Sequence, residues 1–417
     1  MAESFTITIQ LVNMNRKSIL AAALSLCLVT AAIAQENRIS YSLSSNNGHS
    51  SVSITDDNLN FKLSYTGDIS FTDDEKNFKS FPSDGFLRYQ KNGTILIVTL
   101  DAAGKIAYEI NGGDKKTVLN DNEKDVVASA IRLMIEYGIG AKERVARIYQ
   151  GGGTKAVMEE VRNMKTDYVR GQYLQFLLAT NNLSPADMTE IAEDAQTLIS
   201  SDYEKGRLLQ AFSSKYLGNE GTARAFLGAV KSIHSDYEKA MAVKTILHQQ
   251  LTDQEFTAVI EITTTISSDY EKGGVLSGVI DANTISESRF AEVIHAAAAI
   301  AGDYEKGQVL KKVFATGVTI PEAAFGETLD AVGTISGDYE KAGVLKKMAG
   351  STIKSEADWI SLIRATAKIN GDYEKGETLR FIAEKMPGSE TEKEAYNKAA
   401  RTIAGDFEYG KTIRALK

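Results

Sequence analysis

The sequence is poor in the residues that most often carry chemistry. In 417 residues there are one cysteine, four histidines, one tryptophan and four prolines. A single cysteine can form neither an internal disulfide nor a cysteine-based zinc site. The histidines, at 49, 234, 248 and 295, are far apart and show no His-x-x-x-His spacing, which argues against a zinc or non-haem iron centre. There is no Gly-x-Ser-x-Gly nucleophile elbow. Carboxylates are plentiful, but none outside the repeats described below stands out as the centre of a glycosidase-type pair. Positive charge is also in deficit: 47 Lys and Arg stand against 55 Asp and Glu, a net charge of −8. That balance argues against a general nucleic-acid binder. No catalytic, cofactor or metal residues are therefore expected, and the chain does not read as an enzyme.

The remaining composition is ordinary. Hydrophobic residues make up 43% and charged residues 24%, a soluble globular mix. At ~150 residues per domain, the length fits about three domains.

Residues 1–34 read as a secretory signal. Arg16 and Lys17 precede an apolar run from Ile19 to Val29, followed by Ala32-Ile33-Ala34 and then Gln35. Basic segment, apolar segment and small-residue cleavage site come in the required order. The run is shorter than the ~20 residues of a membrane span, so no span is expected in the mature chain. Met14 opens a typical leader of its own and is the expected true start. Cys27 would leave with the leader, and Leu26 before it does not fit a lipoprotein site. The expected location is outside the cytoplasm, periplasmic or secreted.

Residues 35–118 read as a small antiparallel β-rich domain. Ile39, Tyr41 and Leu43 alternate with serines, and Leu59, Phe61, Leu63 and Tyr65 alternate with polar residues. Such alternation gives a strand one buried and one wet face. Asn92-Gly93 supplies the positive φ of a tight hairpin, and Ala103-Gly104 and Gly112-Gly113 mark further turns. The pattern predicts a meander, folded as a sandwich or a curved sheet. Asn92-Gly93-Thr94 also fits a glycosylation acceptor, but the flanking strands favour the turn. Residues 119–165 are expected to form a helical cap, with a helix near Val126–Ile135 and a shorter pair joined by Gly151-Gly152-Gly153.

Residues 166–417 are repetitive. Asp-Tyr recurs at Asp167, Asp202, Asp236, Asp269, Asp303, Asp338 and Asp372, and Asp406-Phe407 closes the series, in steps of 33 to 35 residues. Glu-Lys follows in six of the eight copies, and the next residue is always Gly or Ala. A fixed period of this length predicts an α-solenoid of about eight two-helix units. The overall fold class is thus α+β. Ser201–Glu204 and Ser268–Glu271 read as capping boxes that start the first helix of a unit. Thr252–Glu255, Thr319–Glu322 and Ser389–Glu392 read as capping boxes of second helices, and Ser184-Pro185 as a capped start. The small residue four after each Asp predicts close approach of another helix. Phe256, Phe290, Phe325 and Trp359 fall at matching second-helix positions, predicted to be buried.

The repeated tyrosine admits two readings. Each ring could pack between helix ends, its hydroxyl on a neighbouring polar group. Alternatively Tyr203, Tyr237, Tyr270, Tyr304, Tyr339 and Tyr373 form a ladder that contacts a partner. Asp, Glu and Lys of the same motif are expected to serve capping and surface pairing.

The repeat length equals that of a tetratricopeptide unit, but the tetratricopeptide signature residues are not matched. Asp-Tyr-Glu-Lys-Gly/Ala-x-x-Leu, together with Phe71-Thr72-Asp73-Asp74 and the β segment, resembles uncharacterised exported bacterial helical-repeat proteins, an α-solenoid group of tetratricopeptide and HEAT-like design. Related repeats occur in some membrane metallopeptidase-type sensors, whose His-Glu-x-x-His motif this sequence lacks. The resemblance implies a helical-repeat fold in a bacterial envelope and no known activity. The expected function is a non-enzymatic scaffold that binds a protein or peptide through the solenoid surface. The alternative is a carbohydrate- or cell-wall-binding protein that uses the tyrosine ladder.

Overall fold

The computed structural model describes residues 40–46, 49–56, 58–180, 183–315 and 319–416. Side chains are described from His49 onward, except that of Asp56. The expected leader, and the side chains of Ile39, Tyr41 and Leu43, lie outside the described residues.

Eight strands come first. They are β1 (Ser40–Asn46), β2 (His49–Asp56), β3 (Leu59–Thr66), β4 (Ser70–Phe71), β5 (Phe78–Ser80), β6 (Phe86–Lys91), β7 (Thr94–Leu100) and β8 (Ile106–Ile110). Six form one antiparallel sheet in the order β1-β2-β3-β6-β7-β8, and β4 pairs with β5. The register explains the alternation in the sequence. Val52, Leu63, Leu87, Val98 and Tyr108 lie in one cross-strand row, and Ile54, Phe61, Tyr89, Leu96 and Ile110 in another. Both rows face the core. Asn92 and Gly93 both take positive φ, 50° and 81°, so the turn reading of that dipeptide holds. Of the two expected forms, the meander is a single sheet and not a sandwich of comparable sheets. Its core is shared with Phe71 and Phe78 of the small hairpin and with Val127, Ala130, Ile131 and Met134 of the first helix.

Among the described residues, 17 helices follow. α1 (Asp121–Glu136) starts on a reciprocal capping box of Asn120 and Glu123. α2 (Ala141–Asn163) is broken at Gly153, whose φ of 66° and ψ of −161° no helix contains. It is therefore the expected pair of short helices around the triple glycine. Buried Arg144 on α2 reaches Glu75 at 2.6 Å, Glu160 at 2.9 Å and the Tyr173 hydroxyl at 3.0 Å. Arg147 also grips Glu75. Two guanidinium groups thus hold the loop between β4 and β5 on α2, and they keep the Glu75 carboxyl below its ordinary pKa against the opposing effect of burial.

The repeat helices alternate. First helices are α3 (Asp167–Leu178), α5 (Asp202–Tyr216), α7 (Asp236–Lys244), α9 (Asp269–Ala282), α11 (Asp303–Ala315), α13 (Asp338–Ala349), α15 (Asp372–Lys385) and α17 (Asp406–Ala415). Each begins on the repeat Asp. Second helices are α4 (Pro185–Leu198), α6 (Glu220–Lys231), α8 (Asp253–Thr264), α10 (Glu287–Ala298), α12 (Glu322–Gly333), α14 (Glu356–Thr366) and α16 (Glu390–Ala400). The chain divides into two compact units. One holds the β region, α1 to α3 and Thr197–Leu208; the other holds Met188–Gln196 and everything from Leu209 onward.

Within the second unit the helices form two rows. α7, α9, α11, α13, α15 and α17 pack each on the next, as do α6, α8, α10, α12, α14 and α16. Phe256, Phe290, Phe325 and Trp359 are buried between the rows, each contributing about 1.5–3 kcal/mol by area removed from water. Capping boxes form at Ser184, Thr252 and Ser389. The one expected at Thr319–Glu322 does not. Pro321 is the N-cap of α12 and offers no side-chain acceptor, while Thr319 forms a bridge with Thr352.

Candidate aromatic ladder

The repeat motif resolves into five positions with different surroundings. The Asp carboxylate reaches forward and accepts two backbone N–H groups at the start of the next repeat. Asp269 takes those of Ala301 and Gly302 at 3.1 and 2.7 Å. Asp303 takes Ser336 and Gly337, Asp338 takes Asn370 and Gly371, and Asp372 takes Ala404 and Gly405. Asp167 does the same to Ser200 and Ser201 within the first unit. These amides hold the carboxyls of Asp303 and Asp372 below the ordinary range.

The Glu reaches backward. At Ser268 only half of the expected box forms: the hydroxyl accepts the Glu271 N–H, while the Glu271 side chain pairs with Lys244 of the preceding repeat at 2.9 Å. Glu340 pairs likewise with Lys311 at 2.7 Å and Glu408 with Arg380 at 2.8 Å. The small residue of the preceding repeat makes room for this Glu. A Cβ at Gly307 would fall 2.6 Å from Glu340 Oε2 and 3.4 Å from its Cβ, and one at Gly273 would fall 3.4 Å from the Glu305 Cβ. Close helix approach, expected from the glycine stripe, is what these positions serve.

The Lys is the sharpest departure from expectation. Surface pairing was anticipated, yet Lys205, Lys239, Lys272, Lys306, Lys341 and Lys375 are only 3–9% exposed. In four of them the side chain runs inward to the C-terminal end of the second helix of its own repeat. Lys239 donates to Thr265 Oγ1 at 2.9 Å, Lys272 to the Ala299 carbonyl at 3.2 Å, Lys306 to Thr334 Oγ1 at 2.6 Å and Lys375 to the Thr402 carbonyl at 3.0 Å. An ammonium group is favourable there, at the negative end of the helix dipole. Burial pushes the Lys306 pKa down. In the first repeat Arg170 occupies this position and donates to the Leu198 carbonyl.

The tyrosine is left without such a task. Tyr237, Tyr270, Tyr304, Tyr339 and Tyr373 are exposed, from 55% at Tyr237 to 78% at Tyr339. Among the described residues no hydrogen bond holds their hydroxyls. Packing between helix ends is therefore overturned for these five, because the second residue of each helix points to water while the lysine two residues later points inward. Tyr203 is half-buried. Phe407, 72% exposed, continues the row. The candidate set omitted it for being a phenylalanine, although Asp406-Phe407 already stood in the series. Six of the eight large hydrophobic residues exposed in the described chain belong to this one repeat position; the others are Phe86 and Val118.

Elsewhere little converges. One surface depression, about 370 Å³, is bordered by Asp101, Lys115, Lys116 and Val118 in the β region. Its Lys116 is already paired with Glu123. Among the described residues no three of His, Cys, Asp and Glu come together to hold a metal ion, and no helix is long and apolar enough to cross a membrane. No protein-family model, curated protein or solved structure matches the chain.

Proposed function

We propose that this protein is a non-enzymatic binding scaffold whose partner, a protein or peptide, lies along the tyrosine ladder. The carrying observation is the contrast within the motif: three positions join neighbouring repeats, the lysine joins the two helices of its own repeat, and the fifth position presents an aromatic ring to water. Aromatic rings with a polar tip are favoured contact residues because they bring large area with little conformational freedom to lose. The leader-like segment read in residues 1–34 and the resemblance support an exported protein of a bacterial envelope, periplasmic or secreted. The intact mass of the protein recovered from the producing cell tests that reading: a chain starting at Gln35 supports it, and one that keeps residues 14–34 counts against it.

The test of the scaffold reading is replacement of Tyr270, Tyr304 and Tyr339 by serine in one chain. The helical circular dichroism should persist, while photo-crosslinks from a probe at the ladder to envelope proteins should disappear. Unchanged crosslinking would sink the ladder as a contact surface. The same exposed rings favour a second reading, stacking on sugar rings of a glycan or the cell wall. Binding to a glycan array and co-sedimentation with peptidoglycan, both lost in the serine variant, would establish that reading instead.

A further inference from the structure

We infer that the ladder takes a basic, proline-rich segment in the polyproline II conformation, one turn per repeat. This rests on the ladder being a binding surface and names the kind of chain that fits it.

The first argument is periodicity. The rings of Tyr237, Tyr270, Tyr304, Tyr339, Tyr373 and Phe407 occupy one position on six first helices packed side by side. Packed helices lie ~8–10 Å apart. The fit of Glu340 against Gly307 and of Glu305 against Gly273 shows that these helices are in direct packing contact, and the middle of that range applies. A rung spacing of about 9 Å follows, or about 45 Å over the five intervals. Polyproline II rises ~3.1 Å per residue with three residues per turn, so it shows the same face every ~9.3 Å. A β-strand also covers the spacing in three residues, at ~3.3 Å each, but its side chains alternate, so successive rungs would meet opposite faces. An α-helix needs seven residues, ~10.5 Å, to return to one face, and overshoots the ladder by about 7 Å across the row.

The second argument is hydrogen bonding. A polyproline II chain makes no internal hydrogen bonds and leaves its carbonyls to be satisfied from outside. Five tyrosine hydroxyls with no partner among the described residues can supply donors, while the rings supply flat faces for proline.

The third argument is charge. Each ring has an aspartate beside it in sequence, from Asp236 to Asp372, and the lysine of the motif is turned inward. Each carboxylate is bonded to two amides of the next repeat yet keeps its negative charge, so the edge is aromatic with an acidic field beside it. Phe407 already takes a cation on its face, Lys411 at 4.9 Å. Arg or Lys between the prolines of a ligand would meet both ring faces and carboxylates.

The experiment uses the full chain and fluorescent peptides built from Pro-Arg-Ser triplets, with two, four or six triplets, followed by anisotropy. Controls are a scrambled peptide of the same composition, an amphipathic helical peptide of equal charge, and chitohexaose. Affinity should rise at least tenfold from two to six triplets, as linked contacts add. The Tyr304→Ser/Tyr339→Ser double variant should lose about tenfold, from two ring contacts removed. Equal binding of periodic and scrambled peptides, or no binding of either, overturns the inference. So does tighter binding of the helical peptide or chitohexaose. If one of those controls binds and its binding depends on the tyrosines, the ladder reading survives and only the ligand class is wrong. If no probe responds to the tyrosine changes, both fail.

Discussion

Tyr168 and Tyr304 hold the same place in their repeats and have opposite surroundings. Tyr168 is half-buried in the first unit, its hydroxyl accepts the Gln172 amide at 2.8 Å, and burial raises its pKa, with Tyr65 of β3 among its neighbours. Tyr304 is 62% exposed and unbonded. The local sequence is no guide to this difference, because both residues follow the helix-starting Asp. What differs is the company outside the repeat. In the first unit there is a β region to pack on, and in the later repeats there is only solvent beyond the ring. The motif itself therefore does not require the ring to be buried. Its architectural work is done by Asp, Glu, Lys and the small residue.

That contrast can be broken in several ways, starting from the largest effect. Tyr168→Ala should destabilise the first unit by about 2–3 kcal/mol, as expected for truncating a half-buried aromatic. Urea unfolding would reveal it, and a cost below that of Tyr304→Ala would erase the distinction. Gly307→Val should cost about 1–3 kcal/mol, because the branched side chain meets Glu340 of the next repeat. The same change at Gly326, where nothing lies within 4 Å, should spare that contact and leave stability unchanged or slightly raised, because valine is a better helix former than glycine. Asp303→Asn weakens two charge-assisted bonds to the next repeat and should cost about 1.5 kcal/mol.

A pH effect follows from the same carboxylates. The folded pKa values of Asp303 and Asp372 lie below the unfolded value of about 3.9. Their stabilisation is therefore complete above that value and is lost as pH falls through the lower, folded one. Melting temperature should decline on acidification below about pH 4, and Asp303→Asn should flatten the decline. The smallest change is Tyr304→Ala, expected within about 0.5 kcal/mol of the parent. A larger loss would mean that the ring packs on something, and the ladder would lose its claim to be a free surface.

Much of the fold was legible in the sequence. A two-residue alternation is sufficient to mark strands such as β3, and the Asn92-Gly93 turn carries its own signal in a backbone few residues adopt. Each first helix starts on the recurring Asp because the threonine, serine or glycine before it suits an N-cap and an acid suits the first turn. The glycine stripe announced close helix contact. The candidate site was legible only as a position. The sequence could not separate a buried tyrosine row from an exposed one, since exposure depends on what neighbours the ring across repeats.

What the sequence alone determined is therefore periodic and local: element type, helix starts, the buried aromatics Phe256, Phe290, Phe325 and Trp359 of four second helices, and the two-helix repeat. Those follow from side-chain spacing along one backbone. Tertiary structure decided where the motif's polar side chains go. Asp reaches the next repeat, Glu the previous one, and Lys turns inward to the end of the second helix, although by composition all three belong on a surface. Each choice depends on a backbone amide, a glycine gap or a helix C-terminus 26 to 34 residues away. Burial of a charge is tolerable only where such a partner waits, and only the folded chain puts it there.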